Sequence, residues 1–220
     1  MGIIKHGIWG PFRGRTGGVI GTFWKGRNVM KEIHGIVYNP NTPAQQEQRL
    51  KYKLAKSFNA LNKELIRIGF SGFAGSATPD NHALRYNIKN AVCGEFPNLV
   101  VDLNRAKLSM GYLENIQASV VDSTVSSSIE IHWIDNTGVG RARPNDQILI
   151  SIIDVACTEA YKPTAMIKRK DQQCTIELPK TWSGKQAIVL GFAIADNVYA
   201  KAVSLNEVSD SAVYGEVIIK

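Results

Sequence analysis

Six short apolar runs constrain this fold more than any other feature: residues 99–103, 128–134, 148–153, 175–178, 187–193 and 214–219. Each is too short for a helix that must bury a stripe, and most are rich in β-branched residues. They are separated by the turn clusters Asp135-Asn-Thr-Gly138, Arg143-Pro-Asn-Asp146 and Trp182-Ser-Gly184. Strands at such spacing predict two antiparallel sheets packed as a sandwich of immunoglobulin or fibronectin type III style. No Cys-Trp-Cys pattern marks a true immunoglobulin domain.

The first half reads differently. Residues 1–18 hold six glycines and a proline, interleaved with Trp9, Phe12, Arg13 and Arg15, which reads as an extended basic arm. Residues 19–25 and 28–33 flank Gly26-Arg27 as two strands of a hairpin. Asn39-Pro-Asn-Thr-Pro43 then stops the strands. Thr42, Pro43 and Gln45 supply an N-cap, a first helical residue and a capping partner. From 43 to 68, Tyr52, Leu54, Ala55, Phe58, Leu61, Leu65 and Ile68 recur at threes and fours, predicting one long amphipathic helix with Arg49, Lys51, Lys53, Lys56, Lys63 and Arg67 opposite. A shorter helix over 81–92 is expected to end at Gly94. The expected class is therefore mainly β with α. The expected parts are an arm (1–18), a hairpin plus helical region (19–114) and a β-sandwich (115–220), with a soft boundary near 112–118.

The chemistry of catalysis is not visible. His6, His34, His82 and His132 fall in separate elements, and Asp122, Asp135, Asp146 and Asp154 sit mainly where Asx side chains cap turns. No Cys-x-x-Cys, His-Glu-x-x-His, phosphate-binding loop or nucleophile elbow occurs. Cys93, Cys157 and Cys174 are an odd number without close spacing, expected as buried or half-buried thiols in a reducing compartment. We therefore expect no enzyme, cofactor or metal, and neither a membrane span nor a secretory leader.

Charge is the informative quantity. Residues 1–70 hold 12 Lys/Arg against 3 acids, whereas the remaining 150 residues hold 14 against 16. Arg13, Arg15, Trp24, Lys25, Arg27, Lys31, Arg49, Lys53 and Lys56 are the expected contacts to nucleic acid or a partner. Cations among aromatic side chains can neutralise phosphates and stack on bases, without reading sequence. The competing reading is a solvated helix face and core aromatics. A Gly-rich arm could instead leave its own domain and lie on a neighbour.

The segments Gly17-Gly-Val-Ile-Gly-Thr-Phe-Trp-Lys-Gly26, Asn39-Pro-Asn-Thr-Pro-Ala-Gln-Gln-Glu-Gln-Arg49, residues 128–135 and Tyr214-Gly-Glu-Val217 resemble an uncharacterised family of Bacteroidota and their phages. That resemblance covers nearly the whole chain and implies a Gly-rich start, a helix and a C-terminal β-sandwich. It transfers no site residues, and it makes residues 162–173 a variable loop. The Asn-Pro-x-Thr-Pro-Ala-Gln segment is also similar to one in phage structural-module proteins. These likenesses imply a structural virion protein, a capsid or capsid-associated subunit. It would assemble in the host cytoplasm as a homo-oligomer or with other virion proteins, with nucleic acid as a further partner. A host nucleic-acid-binding protein and an immunoglobulin-like adhesion module using loops 135–145 and 162–173 stand as alternatives.

Overall fold

A computed structural model describes residues 3–4, 10–24, 26–35, 39–73, 77–123, 127–196 and 204–220. The chain divides into two compact units, Met1–Thr42 and Pro43–Lys220. The first is a single antiparallel sheet in the order β1 (Ile3–Ile4), β2 (Phe12–Thr16), β3 (Val19–Trp24) and β4 (Arg27–Glu32). The extended arm expected over 1–18 is thus corrected where it is described: residues 3–4 and 12–16 are paired strands. Its glycines serve turns and close approach. Gly17-Gly18 links the paired residues Thr16 and Val19, with Gly17 at φ 58° as such a turn requires. Gly21 lies under Phe12, so a Cβ there would come 2.4 Å from the Phe12 carbonyl oxygen and 2.7 Å from its ring. In the next hairpin Trp24 pairs with Arg27, which places Arg27 in the strand. Lys25, Ile8 and Trp9 lie outside the described residues.

In the second unit α1 spans Pro43–Leu61, starting where the Thr42-Pro43 signal predicts. The helix does not run on to Ile68. Asn62 breaks it at φ −111°, and α2 follows over Lys63–Gly69. The buried Asn62 amide donates to the Phe58 carbonyl at 3.2 Å while its Oδ1 accepts the Ser151 hydroxyl at 2.6 Å. A polar side chain that bonds its own backbone and a neighbouring strand competes with helix continuation. Tyr52, expected on the apolar stripe, is exposed. Next comes α3 (Pro79–Asn90), whose Asn81 N–H donates to Thr78 Oγ1 at 3.3 Å. Val92 and Gly94 do not finish this helix: they belong to β5 (Val92–Glu95), which pairs with β6 (Asn98–Val101).

The remaining strands are β7 (Gln117–Asp122), β8 (Ser128–Ile134), β9 (Gln147–Asp154), β10 (Ala160–Tyr161), β11 (Ile167–Lys168), β12 (Gln173–Glu177), β13 (Gln186–Ile194) and β14 (Ala212–Ile218). One sheet has the order β12-β8-β7, the other β10-β9-β13-β14 with β11 also on β9. This is the fibronectin-like sandwich that the strand spacing predicts, with a helical layer added.

Strand β13 shows how that layer is held. Ala187, Val189 and Ala193 face the core between the sheets, with Ile131, Trp133 and Ile150. Ile188, Leu190, Phe192 and Ile194 face a second core with Phe58, Ile66, Phe70 and Ala83 of the helical layer. Small residues point inward and large ones outward, so both faces are dry. Each large side chain contributes roughly 1.5–3 kcal/mol on burial. Because they share this core, helices and sandwich form one unit, and the division falls at 42/43 rather than at the expected 114/115.

The segment 162–173, expected as a variable loop, carries the most deeply buried cation. Arg169 is 0% exposed and ion-paired with the equally buried Asp146 at 3.2 Å. Its guanidinium also donates to Asn136 Oδ1 at 2.5 Å and the Glu114 carbonyl at 2.6 Å, and its own carbonyl accepts the Trp133 indole N–H at 2.8 Å. Burial pushes the Asp146 carboxyl up, opposed by the Arg143 backbone N–H and by Arg169. The cluster ties loop 135–146 to segment 167–171.

Removing one partner of such a pair strands the other charge. Arg169→Met is expected to cost about 3–5 kcal/mol in urea unfolding. The double variant Arg169→Met/Asp146→Leu should recover part of that loss, and an unchanged midpoint for the single variant contradicts the assignment.

Candidate functional site

Cross-strand register sorts the side chains of the first sheet by face, because residues directly opposite one another project to the same side. Arg15 pairs with Ile20 and Ile20 with Lys31; Thr22 pairs with Val29, and Trp24 with Arg27. One face therefore carries Arg15, Arg27 and Lys31 around Trp24. The alternate residues pair as Thr16–Val19–Glu32, Gly14–Gly21–Met30 and Phe23–Asn28. This second face carries Val19, Phe23 and Met30 together with Thr16, Asn28 and Glu32, the one acid in residues 1–42.

Among the described residues of this unit, none forms a second layer over either face. Among its described residues only Gly21 is buried, while Phe23, Trp24 and Met30 are 51%, 53% and 69% exposed. Thr22, Phe23, Trp24, Val29 and Lys31 line a pocket of about 460 Å³. Arg13 stands where β2 leaves β3 to pair with β1, its guanidinium 5.4 Å over the Phe23 ring. That distance fits a cation held against an aromatic face.

Of the expected contacts, the structure thus brings together Arg15, Trp24, Arg27 and Lys31. Arg13 is engaged with Phe23, and Lys25 is outside the described residues. Arg49, Lys53 and Lys56 belong to the other unit, exposed on one face of α1 at helical spacing. Sequence reading saw the mixture of cations and aromatics without its separation by face. The signal that could have found it is strict period-two alternation through residues 19–32.

A second basic concavity, about 400 Å³, is lined by Tyr86, Lys89, Arg105 and Lys107 among others. Its charge is largely countered: Arg105 pairs with Asp102 at 3.3 Å, and Lys107 pairs with Asp210 beneath the Tyr86 ring. The sheet of the first unit has no such countering acid on its basic face, which makes it the stronger candidate for an external anion.

Groups that could serve nucleophilic chemistry are held in unreactive forms. All three cysteines are free and half-buried. Burial first, and then Asp154, pushes the Cys157 thiol up to about 11; burial and Asp171 push Cys174 up to about 12. Burial likewise raises the Tyr214 phenol, whose hydroxyl donates to Asn115 Oδ1 at 2.8 Å. Glu114 is held low by the Arg141 backbone N–H at 2.8 Å, and Asp135 by Thr137. The carboxylates thus stabilise loops. Among the described residues no three His, Cys, Asp or Glu side chains are grouped to hold a metal ion, and no helix is long and apolar enough to cross a membrane.

A thiol must lose its proton to react, so these positions set a measurable rate. At pH 8, iodoacetamide should label Cys157 and Cys174 at least on the order of a hundredfold more slowly in native than in denatured protein, as read by peptide mass spectrometry. Equal rates would show both thiols to be in ordinary surroundings.

The chain belongs to a family of unknown function, DUF6266, whose model matches residues 9–205. Among curated proteins none matches it. Solved structures similar to it include the fn3 domain of human contactin 1, at 14% identity and TM-score 0.31, covering 58% of this chain and 93% of that one.

Proposed function

We propose that this family member is a non-enzymatic assembly subunit, a structural virion protein of a Bacteroidota-type phage, which associates with its own kind through residues 1–42. The observation that carries this reading is the first sheet itself. Among the described residues its four strands have no second layer of their own, and Phe23 and Met30 are more than half exposed on the face opposite Trp24. A sheet that buries neither face gains little from the hydrophobic term that must offset chain entropy. Contact with a sibling subunit supplies the missing layer.

The second unit suits the role of scaffold. Among the described residues its two cores are built by residues 58–219. The likeness of the Asn39-Pro-Asn-Thr-Pro-Ala-Gln45 segment to phage structural modules supports the virion context, with assembly in the host cytoplasm. The held-down reactivity of Cys157 and Cys174 fits a structural rather than a catalytic task.

Sedimentation at micromolar concentration should show an oligomer for the full chain. The double variant Phe23→Ser/Met30→Ser should shift it to monomer, weakening association at least about a hundredfold if these are central anchors. A full-length chain that stays monomeric at high concentration and enters no particle when expressed beside its gene neighbours would overturn the reading.

A further inference from the structure

The apolar face accounts for self-association and leaves the other face of the same sheet without a task. We infer that the face carrying Arg15, Trp24, Arg27 and Lys31 binds single-stranded nucleic acid, a function that goes beyond the assembly reading and does not depend on it.

Three observations point to this occupant. First, the face is purely cationic. Arg15 and Lys31 flank Ile20 across three strands, Arg27 stands opposite Trp24, and the unit's one acid, Glu32, projects from the other side. An exposed acid would weaken binding of any polyanion, and register excludes it here.

Second, Trp24 is 53% exposed in the midst of those cations and, at the sheet edge, lines a pocket of about 460 Å³ with Thr22, Phe23, Val29 and Lys31. A half-exposed indole beside cations is the combination that holds a base by stacking while the charges hold its phosphates. Duplex DNA keeps its base faces stacked inside and offers such a ring nothing; an acidic protein patch would use the charges and not the ring. Third, β-strand geometry puts the cations of one face on a regular grid, with neighbouring strands about 4.8 Å apart. A flexible strand can follow that grid with successive phosphates.

The mode is sequence-independent, because the face offers no arrangement of side-chain amides or carboxylates for reading base edges. Three phosphate contacts predict a slope of about −2 for log affinity against log salt, equivalent to roughly a twentyfold loss between about 50 and 200 mM.

The experiment is a titration of the full chain with fluorescein-labelled oligothymidylate of about 20 nucleotides, following anisotropy and tryptophan fluorescence. Wild-type protein should bind with that salt slope and with quenching of the indole signal. Arg15→Gln/Arg27→Gln/Lys31→Gln should lose at least about tenfold in affinity at low salt, together with most of the slope. Trp24→Ala should weaken binding about tenfold while keeping the slope.

Lys53→Gln/Lys56→Gln on α1 should leave binding as it is. Each variant is first checked by circular dichroism, and Lys31→Gln alone serves if the triple variant misfolds. The inference is overturned if the sheet variants bind like wild type, if the α1 variant abolishes binding, or if duplex DNA binds more tightly. Equal displacement by polyglutamate would also overturn it, by assigning the face to acidic protein surfaces instead.

Discussion

Everything in the larger unit depends on β9 and β13 being dry on both sides. Two adjacent central strands that pack a second sheet on one face and helices on the other cannot slip by one residue. A slip would exchange Ala187, Val189 and Ala193 with Ile188, Leu190 and Phe192 and overfill the inner core. The same constraint fixes the helical layer, since Asn62 at the α1–α2 break accepts the Ser151 hydroxyl from the outward face of β9. The buried Arg169–Asp146 pair ties loop 135–146 to segment 167–171.

The first unit is built on the opposite principle. Its strands alternate in the ordinary way, yet among the described residues the sheet has no second layer to give the alternation a buried side. What alternation achieves instead is a separation of chemistry: Arg15, Arg27, Lys31 and an indole on one face, Val19, Phe23 and Met30 with neutral polar side chains and a single acid on the other. A sheet with two distinct exposed faces suits a component that meets two different surfaces. The proposed roles, a sibling subunit on one side and nucleic acid on the other, use each face for what its side chains can do.

Much of the larger unit was legible because its signals were local and redundant. Pro43 after Thr42 started α1 where expected, and five of the six apolar runs became sandwich strands; the other, 99–103, overlaps β6 beside the helices. The misreadings share a cause. The 43–68 periodicity carries no sign that Asn62 has a partner on β9, and the segment 162–173, expected as a variable loop, gives no sign that Asp146, 23 residues from Arg169, encloses it. Gly17-Gly18 read as backbone freedom when it was a turn, because glycine content alone does not distinguish a loose segment from a sharply bent one. In each case a long-range partner decided the outcome, and single-residue propensities carry no information about partners. For the candidate site, the residue types were legible, but their separation by face required the cross-strand register.

The central claim is that the first sheet is completed by another molecule, whereas the second unit is complete in itself. Hydrogen–deuterium exchange of the full chain at low and high protein concentration tests this most directly. Amides of β3 and β4 should exchange quickly when dilute and become protected as concentration rises, while those of β9 and β13 stay slow at both. Protection in β3 and β4 that does not change with concentration would contradict the account.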